Sequence, residues 1–194
     1  MDTSFNDDPR LRMTGSRPVQ VCHGLALSDA ARAALADDPS PACFLDALSA
    51  AECHEDAVQF LAHAMPRVDA VRWACDCARA AGGDTLPVVA SVALAAALRW
   101  AAAPSAQRCQ DAAEVAEAEG MQDEGAARFV ALAAAWSGDS LVAEGLPPTP
   151  PPEGLGSAAV AAAVMIAAAT GEPAQMGERY RDFIARGMGV ARMG

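Results

Sequence analysis

Residues 40–83 read SPACFLDALSAAECHEDAVQFLAHAMPRVDAVRWACDCARAAGG, and this stretch decides the fold class. Pro41 stands at a favoured first helical position, Pro66 ends one helical pattern, and Gly82–Gly83 stop the last one. The stretch therefore predicts three consecutive helices, from Pro41 to about Ala50, from about Glu52 to Met65, and from Pro66 to Ala81.

The composition of the whole chain also favours helices. Alanine makes up about a quarter of the 194 residues, whereas aromatic residues make up only 5%. Alanine is the best helix former, and the β-branched and aromatic residues that favour strands are sparse. Ser28 and Ser157 are expected to cap helices, and Pro173 suits a first turn. Further helices are expected at 28–37, 86–102, 105–119, 122–137, 157–170 and 173–187.

The predicted fold is all-α, with about eight to nine short alanine-rich helices joined by turns. The sequence AECHEDAVQFLA (51–62) is weakly similar to AEGMQDEGAARFVA (118–131), and each lies at a turn that enters an amphipathic helix. Stacked helix pairs would explain this internal similarity. A helical-repeat-like stack and an irregular bundle therefore both remain open.

The expected organisation is one helical domain at residues 21–194, preceded by a disordered or loosely attached segment at 1–20. A proline-rich connector at 145–156 leads to two closing helices, the first of which is apolar on every side and should be buried centrally. The run LPPTPPPEG (146–154) favours extended polyproline II. It is interpreted as a stiff connector in preference to a ligand for a proline-binding domain.

The charge of the chain excludes some classes of partner. Its formal net charge is −11, and such a surface repels phosphate backbones, so no nucleic acid is expected as a partner. The apolar stretch at 86–104 contains an arginine and a proline, and the one at 157–170 is too short to cross about 30 Å of hydrocarbon. With no signal-peptide pattern either, we expect a cytoplasmic protein that contacts no membrane and whose cysteines are reduced.

The segment RWACDCAR (72–79) contains two cysteines and resembles a metal or redox site at first sight. On a helix, however, Cys75 and Cys77 project about 200° apart, so they cannot share one ion or form an unstrained disulfide. We expect them on the two flanks of the helix, between the core and a stripe of alternating charge. That stripe comprises Asp69, Arg72, Asp76 and Arg79.

The segment ECHE (52–55) and His63 form a second candidate metal site, because Glu, Cys and His all bind zinc. Helical projection instead places His63 on a polar, solvated stripe with Glu52, Glu55, Asp56 and Gln59. We therefore predict no metal site and no cofactor. The alternative is a small metal- or thiol-dependent protein that uses Cys53, His54, Cys75, Cys77 or Cys109.

No catalytic motif is present: the chain lacks GxSxG, a phosphate loop, GxGxxG and HExxH, so we predict no catalytic residues and a non-enzymatic protein. The last helix is basic in an otherwise acidic chain and has an apolar stripe at helical spacing. Aromatic residues and arginine dominate the energetics of interfaces. The candidate partner-binding residues are therefore Trp73, Trp100 and Trp136, where exposed, together with Arg179, Tyr180 and Phe183.

Three stretches resemble one bacterial family. FLDALSAAECHEDAVQFLAHAMPRVDAVRWACDCAR (44–79), ALAAAWSGDSL to GLPPTPPPEGL (131–155) and ERYRDFIARGMGVARMG (178–194) are similar to an uncharacterised all-helical domain of unknown function found near type VI secretion genes in proteobacteria. The resemblance covers about residues 40–194 and implies no activity. It suggests an adaptor or chaperone-like accessory protein whose partner is a type VI secretion component or an effector.

Overall fold

The computed structural model describes residues 17–83, 86–123, 125–141 and 147–193. These ranges contain ten α-helices and no strand, which confirms the all-α prediction. Short 3₁₀ turns lie at Met121–Asp123 and Pro173–Gln175. The helices are α1 (Pro18–Val21), α2 (Asp29–Leu35), α3 (Pro41–Ala50), α4 (His54–Ala64), α5 (Arg67–Gly82), α6 (Val88–Ala102), α7 (Ala106–Glu117), α8 (Gly125–Ala135), α9 (Leu155–Ala169) and α10 (Met176–Met193).

Several helix boundaries follow the capping signals in the sequence. The Ser28 side chain accepts a hydrogen bond from the Ala31 amide, and Pro41 opens α3, as predicted. The prediction that Ser157 caps a helix is wrong, because α9 begins two residues earlier, after Gly154. Gly154 has a φ of +77°, and this left-handed turn brings the chain into the helix without a side-chain cap.

The start of the chain and the connector are described only in part. Residues 1–16 of the segment expected to be loosely attached lie outside the described residues, whereas residues 18–21 form α1, which contacts α4. Residues 145–146 of the connector also lie outside them. The Leu141 amide donates to the Thr149 carbonyl (2.8 Å), and the Thr149 amide donates to Ser140 Oγ (3.1 Å), so the visible part is fixed to the end of the preceding segment.

The alanine-rich helix α9 lies at the centre of the molecule, as its composition predicts. It packs against α4, α5, α8 and α10, and α10 in turn reaches α4 and α5. In a solenoid each repeat contacts only its neighbours. Because α9 and α10 pack against the early helices α4 and α5, the structure is a compact irregular bundle and not a helical-repeat-like stack. None of the helices in the described ranges has both the length and the apolar character needed to cross a membrane.

The antiparallel helices α8 and α9 approach closely because glycine stands at both ends of their contact. A Cβ atom at Gly125 would lie 3.1 Å from the Ile166 side chain. At the other end, a Cβ atom at Gly156 would lie 3.1 Å from Ser137 Oγ and 3.4 Å from the Ala133 carbonyl oxygen. Between these points the buried faces are almost entirely alanine and valine, which keeps the helix axes near one another.

Arginine side chains bind carbonyl groups at the C-terminal ends of helices. The last carbonyls of a helix have no partner within it, and the end of the helix carries a partial negative charge, so a guanidinium group is a suitable partner there. Lysine is absent from the chain, and arginine takes this role in each case. The contacts are Arg67 with Ser137, Arg72 with Ala101, Arg108 with Ala103, Arg128 with Ala116, and Arg179 with Ala168, at 2.7–3.2 Å.

Trp73 joins α5 to α10. The indole is fully buried, and its Nε1 donates a hydrogen bond to the Phe183 carbonyl at 2.8 Å. Gly187 lies on the ring: a Cβ atom at this position would be 2.8 Å from Trp73 Cε2, which is closer than real contacts allow. The absence of a side chain at Gly187 therefore permits α10 to pack here.

We predict that Gly187→Ala lowers the free energy of unfolding by about 1–3 kcal/mol, because the new methyl group overlaps a ring held by its hydrogen bond. Gly189→Ala is the matched control: it lies in the same helix with no atom within 4 Å of a Cβ, so it should raise stability by up to about 1 kcal/mol. Urea unfolding of both variants measures the difference. Equal stability of the two would contradict the packing described.

Candidate functional site

A cleft opens between three segments that are distant in sequence. One wall is formed by the end of α1 and the loop after it (20–25), the second by the end of α4, and the third by the segment that enters α9 (152–158). It consists of two adjoining cavities of about 420 and 710 Å³. Both are lined by Leu25, His63, Glu153 and Gly154, so we treat them as one site, the cleft.

The smaller cavity is the apolar end of the cleft. Its lining is mostly hydrocarbon, and only Gln59, His63 and Glu153 bring polar side chains to it. The volume falls within the range of known ligand pockets, which are mostly apolar with a few polar groups. The apolar lining comprises Leu25, Pro152, Leu155, Ala158, Ala161 and Met165.

The larger cavity is the polar end. Arg67 lies at its edge, but one guanidinium nitrogen already donates to the Ser137 carbonyl at 3.1 Å. The hydroxyl-bearing side chain is Ser157, in the first turn of α9. Amide and imidazole groups come from Gln20 and His23. This end offers hydrogen-bonding groups of both kinds, donors and acceptors.

His63 stands between the two ends. The prediction of a solvated surface histidine is wrong, because the side chain is partly buried and burial lowers its pKa. The connector covers it: a Cβ atom at Gly154 would lie 3.1 Å from His63 Cε1. A lowered pKa means that His63 is neutral at pH 7, where it can both donate and accept a hydrogen bond.

A buried carboxylate fixes the wall of the cleft that precedes α2. Asp56, only 6% exposed, was expected on a solvated stripe, and that prediction is wrong. Its two oxygens accept hydrogen bonds from Ser28 Oγ (2.7 Å) and from the Ser28 amide (3.1 Å). Ser28 also caps α2, so one residue satisfies a helix end and a buried charge together. Cys53 Sγ lies 3.7 Å from the same hydroxyl.

Two of the predicted partner-binding tryptophans are inaccessible. Trp73 is fully buried and Trp100 is 3% exposed, so neither meets the condition of exposure on which it was proposed. Trp136 is partly buried and packs against the core at the end of α8. These positions lie in the interior because helix–helix contacts from distant parts of the chain cover them, which a local pattern does not show.

The predicted sites on α10 also belong to its docked face. Tyr180 and Phe183 are buried, which corrects their interpretation as partner contacts in this structure. Arg179 donates from Nε to the Ala168 carbonyl (2.7 Å) and from Nη2 to the Glu172 carbonyl (3.0 Å). It therefore closes the C-terminal end of α9.

His54 lies under α10, away from the cleft. Its ring stacks on Tyr180 with a centroid separation of 5.6 Å, and its Nδ1 is buried without a hydrogen-bond partner among the described residues. Burial, with a contribution from Glu55, raises the pKa of Tyr180. The stack holds the start of α4 to α10 and forms no cluster with Cys53.

The two cysteines of RWACDCAR face opposite neighbours, as helical geometry predicted, but both are fully buried instead of flanking a surface stripe. Cys75 Sγ lies 3.9 Å from the Leu94 carbonyl of α6, and Cys77 lies near Arg186 of α10. Burial raises the pKa of Cys75 to about 12 and that of Cys77 further, so both are protonated thiols. In the expected charge stripe, Asp69 and Arg72 form an ion pair at 3.6 Å.

The remaining predicted thiol, Cys109, is also buried, and burial raises its pKa. Burial raises the pKa of Cys22 to about 11. Within the described ranges, no three His, Cys, Asp or Glu side chains lie close enough together to hold a metal ion. The candidate groups Cys53, His54, Cys75, Cys77 and Cys109 are therefore not brought into one site by this part of the chain.

Sequence reasoning missed the cleft itself. It placed His63 on the surface and treated Glu153 and Gly154 only as connector. One signal was available: Gly154 follows a proline run directly before a helix, a place where a left-handed turn brings backbone close to a neighbouring side chain. Nothing local, however, points to Leu25 as the opposite wall.

Comparison with known families places most of the chain in one of them. The model of the family of unknown function DUF6931 matches residues 44–191, which includes all helices from α4 to α9 and most of α3 and α10. No curated protein and no solved structure matches the chain. The matched range contains two of the three walls of the cleft, whereas residues 20–25 precede it.

We predict that Ser28→Ala destabilises the protein more than Ser40→Ala. Both hydroxyls cap a helix, a role worth about 1 kcal/mol, but only Ser28 also satisfies buried Asp56, which adds about 1–3 kcal/mol. Urea unfolding of the two variants gives the comparison. A loss for Ser28→Ala no larger than that for Ser40→Ala would show that the contact with Asp56 does not stabilise the fold.

We predict that exposed Cys43 reacts first with a thiol reagent such as Ellman's reagent at pH 8, and that Cys22, Cys75, Cys77 and Cys109 react only on unfolding. Burial and raised pKa values keep these four as inaccessible thiols. The Cys43→Ser variant should lose the fast phase, and all six cysteines should react in denaturant. Fast reaction of Cys75 or Cys77 in the folded protein, or stoichiometric metal by elemental analysis, would support the metal- or thiol-dependent alternative.

Proposed function

We propose a binding function for this chain, which belongs to the DUF6931 family of proteins of unknown function. It acts as a non-enzymatic, cytoplasmic adaptor or chaperone-like accessory protein that holds a segment of another protein. The cleft between residues 20–25, the end of α4 and the start of α9 carries this proposal.

The construction of the cleft supports binding of a protein segment. Hot-spot residues of protein interfaces fill well-packed pockets and are surrounded by contacts that exclude water. The cleft has an apolar end bounded by Leu25 and Met165 and a polar end bounded by His23 and Ser157. Its walls are held by the Ser28–Asp56 contacts and by helix packing, so a partner meets a surface that is already formed.

The aromatic residues that first suggested an interface do not support this proposal, because Trp73, Trp100, Tyr180 and Phe183 are buried. The cleft replaces them as the candidate contact surface. The placement in type VI secretion is supported by the resemblance of residues 44–79, 131–155 and 178–194 to a family found near such genes. On this proposal the partner is a secretion component or an effector.

We predict that an arginine in the cleft prevents partner binding. Ala158→Arg puts a bulky charged side chain into the apolar end, whereas Ala169→Arg changes an exposed alanine of the same helix outside the cleft. Tagged wild type and both variants are expressed in the native bacterium, and the proteins that co-purify are quantified by mass spectrometry. A specific partner should be retained by wild type and Ala169→Arg and fall at least about tenfold with Ala158→Arg.

Two results would count against the proposal. Failure of wild type to recover any stable partner would contradict the adaptor function. Equal recovery by Ala158→Arg and wild type would show that the partner binds elsewhere. A partner that depends on the cleft but has no link to secretion would remove the type VI placement and leave the binding function intact.

A further inference from the structure

We infer that the cleft selects a basic amphipathic segment of the partner protein, with a large apolar side chain in the apolar end and a lysine or arginine beside Glu153. This inference rests on the proposed function and names the chemistry of the occupant. Three observations carry it: the shape of the apolar end, the Glu153 carboxylate that lines this end, and the net charge of the whole chain.

The apolar end takes one large aliphatic or aromatic side chain. This end is lined by Leu25, Leu155 and Met165, together with Ala158 and Ala161. The two alanine side chains are small, so space remains between the larger ones. Burying a leucine or phenylalanine side chain fully gives about 1.5–3 kcal/mol. The anchor of the segment therefore provides affinity, and the neighbouring charges provide selectivity.

Among the described residues that line the apolar end, Glu153 is the one charged side chain at pH 7. Arg67 keeps its positive charge but lines only the polar end, and His63 is neutral at pH 7 because burial lowers its pKa. Glu153 is exposed, lines both ends of the cleft, and forms no ion pair within the described ranges. A cationic side chain next to the anchor would meet this carboxylate at the mouth of the apolar end.

The charge of the whole chain acts in the same direction. With a net charge of −11, the protein attracts basic segments at long range and repels acidic ones. The net charge of the chain therefore favours a cationic segment, and Glu153 places a carboxylate at the apolar end where that cation would bind.

The test uses three fluorescein-labelled peptides that share a pair of adjacent leucines and differ only in the next residue, which is Lys, Gln or Glu. Fluorescence anisotropy at low salt measures the dissociation constant of each. Wild type should bind the Lys peptide about two- to fivefold more tightly than the Gln peptide, and the Glu peptide most weakly, which is the range expected of an exposed ion pair.

Matched variants separate local recognition from net charge. Glu153→Gln and Glu172→Gln each remove one exposed carboxylate that stands just before a helical segment, but only Glu153 lines the cleft. The preference for Lys over Gln should disappear in Glu153→Gln and persist in Glu172→Gln. Ala158→Arg should weaken all three peptides at least about tenfold, and Ala169→Arg should not.

The outcomes distinguish this inference from the proposed function. Loss of peptide binding in Ala158→Arg without a preference for Lys, or an equal change in both glutamate variants, would overturn the inference and leave the cleft as the binding site. Binding unaffected by Ala158→Arg would remove the cleft from both. Absence of binding by every peptide would overturn the inference, while co-purification still decides the proposed function.

Discussion

The close approach of alanine-rich helices is the constraint on which the rest of the structure depends. Helices α8 and α9 meet along faces of alanine and valine, with Gly125 and Gly156 at the two ends of the contact. Small side chains bury little area each, so the stability of the interior comes from many short contacts at crystal-like density. Such an interior tolerates added atoms poorly, and its glycines mark the places where backbone and side chain already touch.

Because alanine-rich helices are thin, the carbonyl groups at their ends need hydrogen-bond partners from elsewhere in the chain. The ten helices of the described ranges have many terminal carbonyl groups, and small neighbouring side chains do little to cover them. Arginine supplies these partners, because its long side chain carries several donors and reaches from one helix to the end of another. Arg67, Arg72, Arg128 and Arg179 each link separate segments in this way. The arginines of this acidic chain therefore have a structural role in addition to carrying positive charge.

Local signals predicted the elements of the fold well, because they act over one helical turn. Ser28, Pro41 and Pro66 mark helix boundaries in the structure as they do in the sequence. The same reasoning failed for Ser157, since the left-handed turn at Gly154 starts α9 earlier. It also failed for exposure: whether Trp73 reaches the surface depends on Gly187 of α10, more than a hundred positions away. The cleft was missed for the same reason, because its three walls come together only in the folded chain.

The bond from the Trp73 indole to the Phe183 carbonyl spans 110 positions, and this separation has a consequence for synthesis of the protein. The surface of α4 and α5 that α9 and α10 cover is synthesised early and covered last. During translation that surface, with its large aromatic side chain, has no cover until the later helices leave the ribosome. The nascent chain thus passes through a stage in which the core-facing surface of α4 and α5 is accessible to chaperones, and the docking of α10 ends that stage.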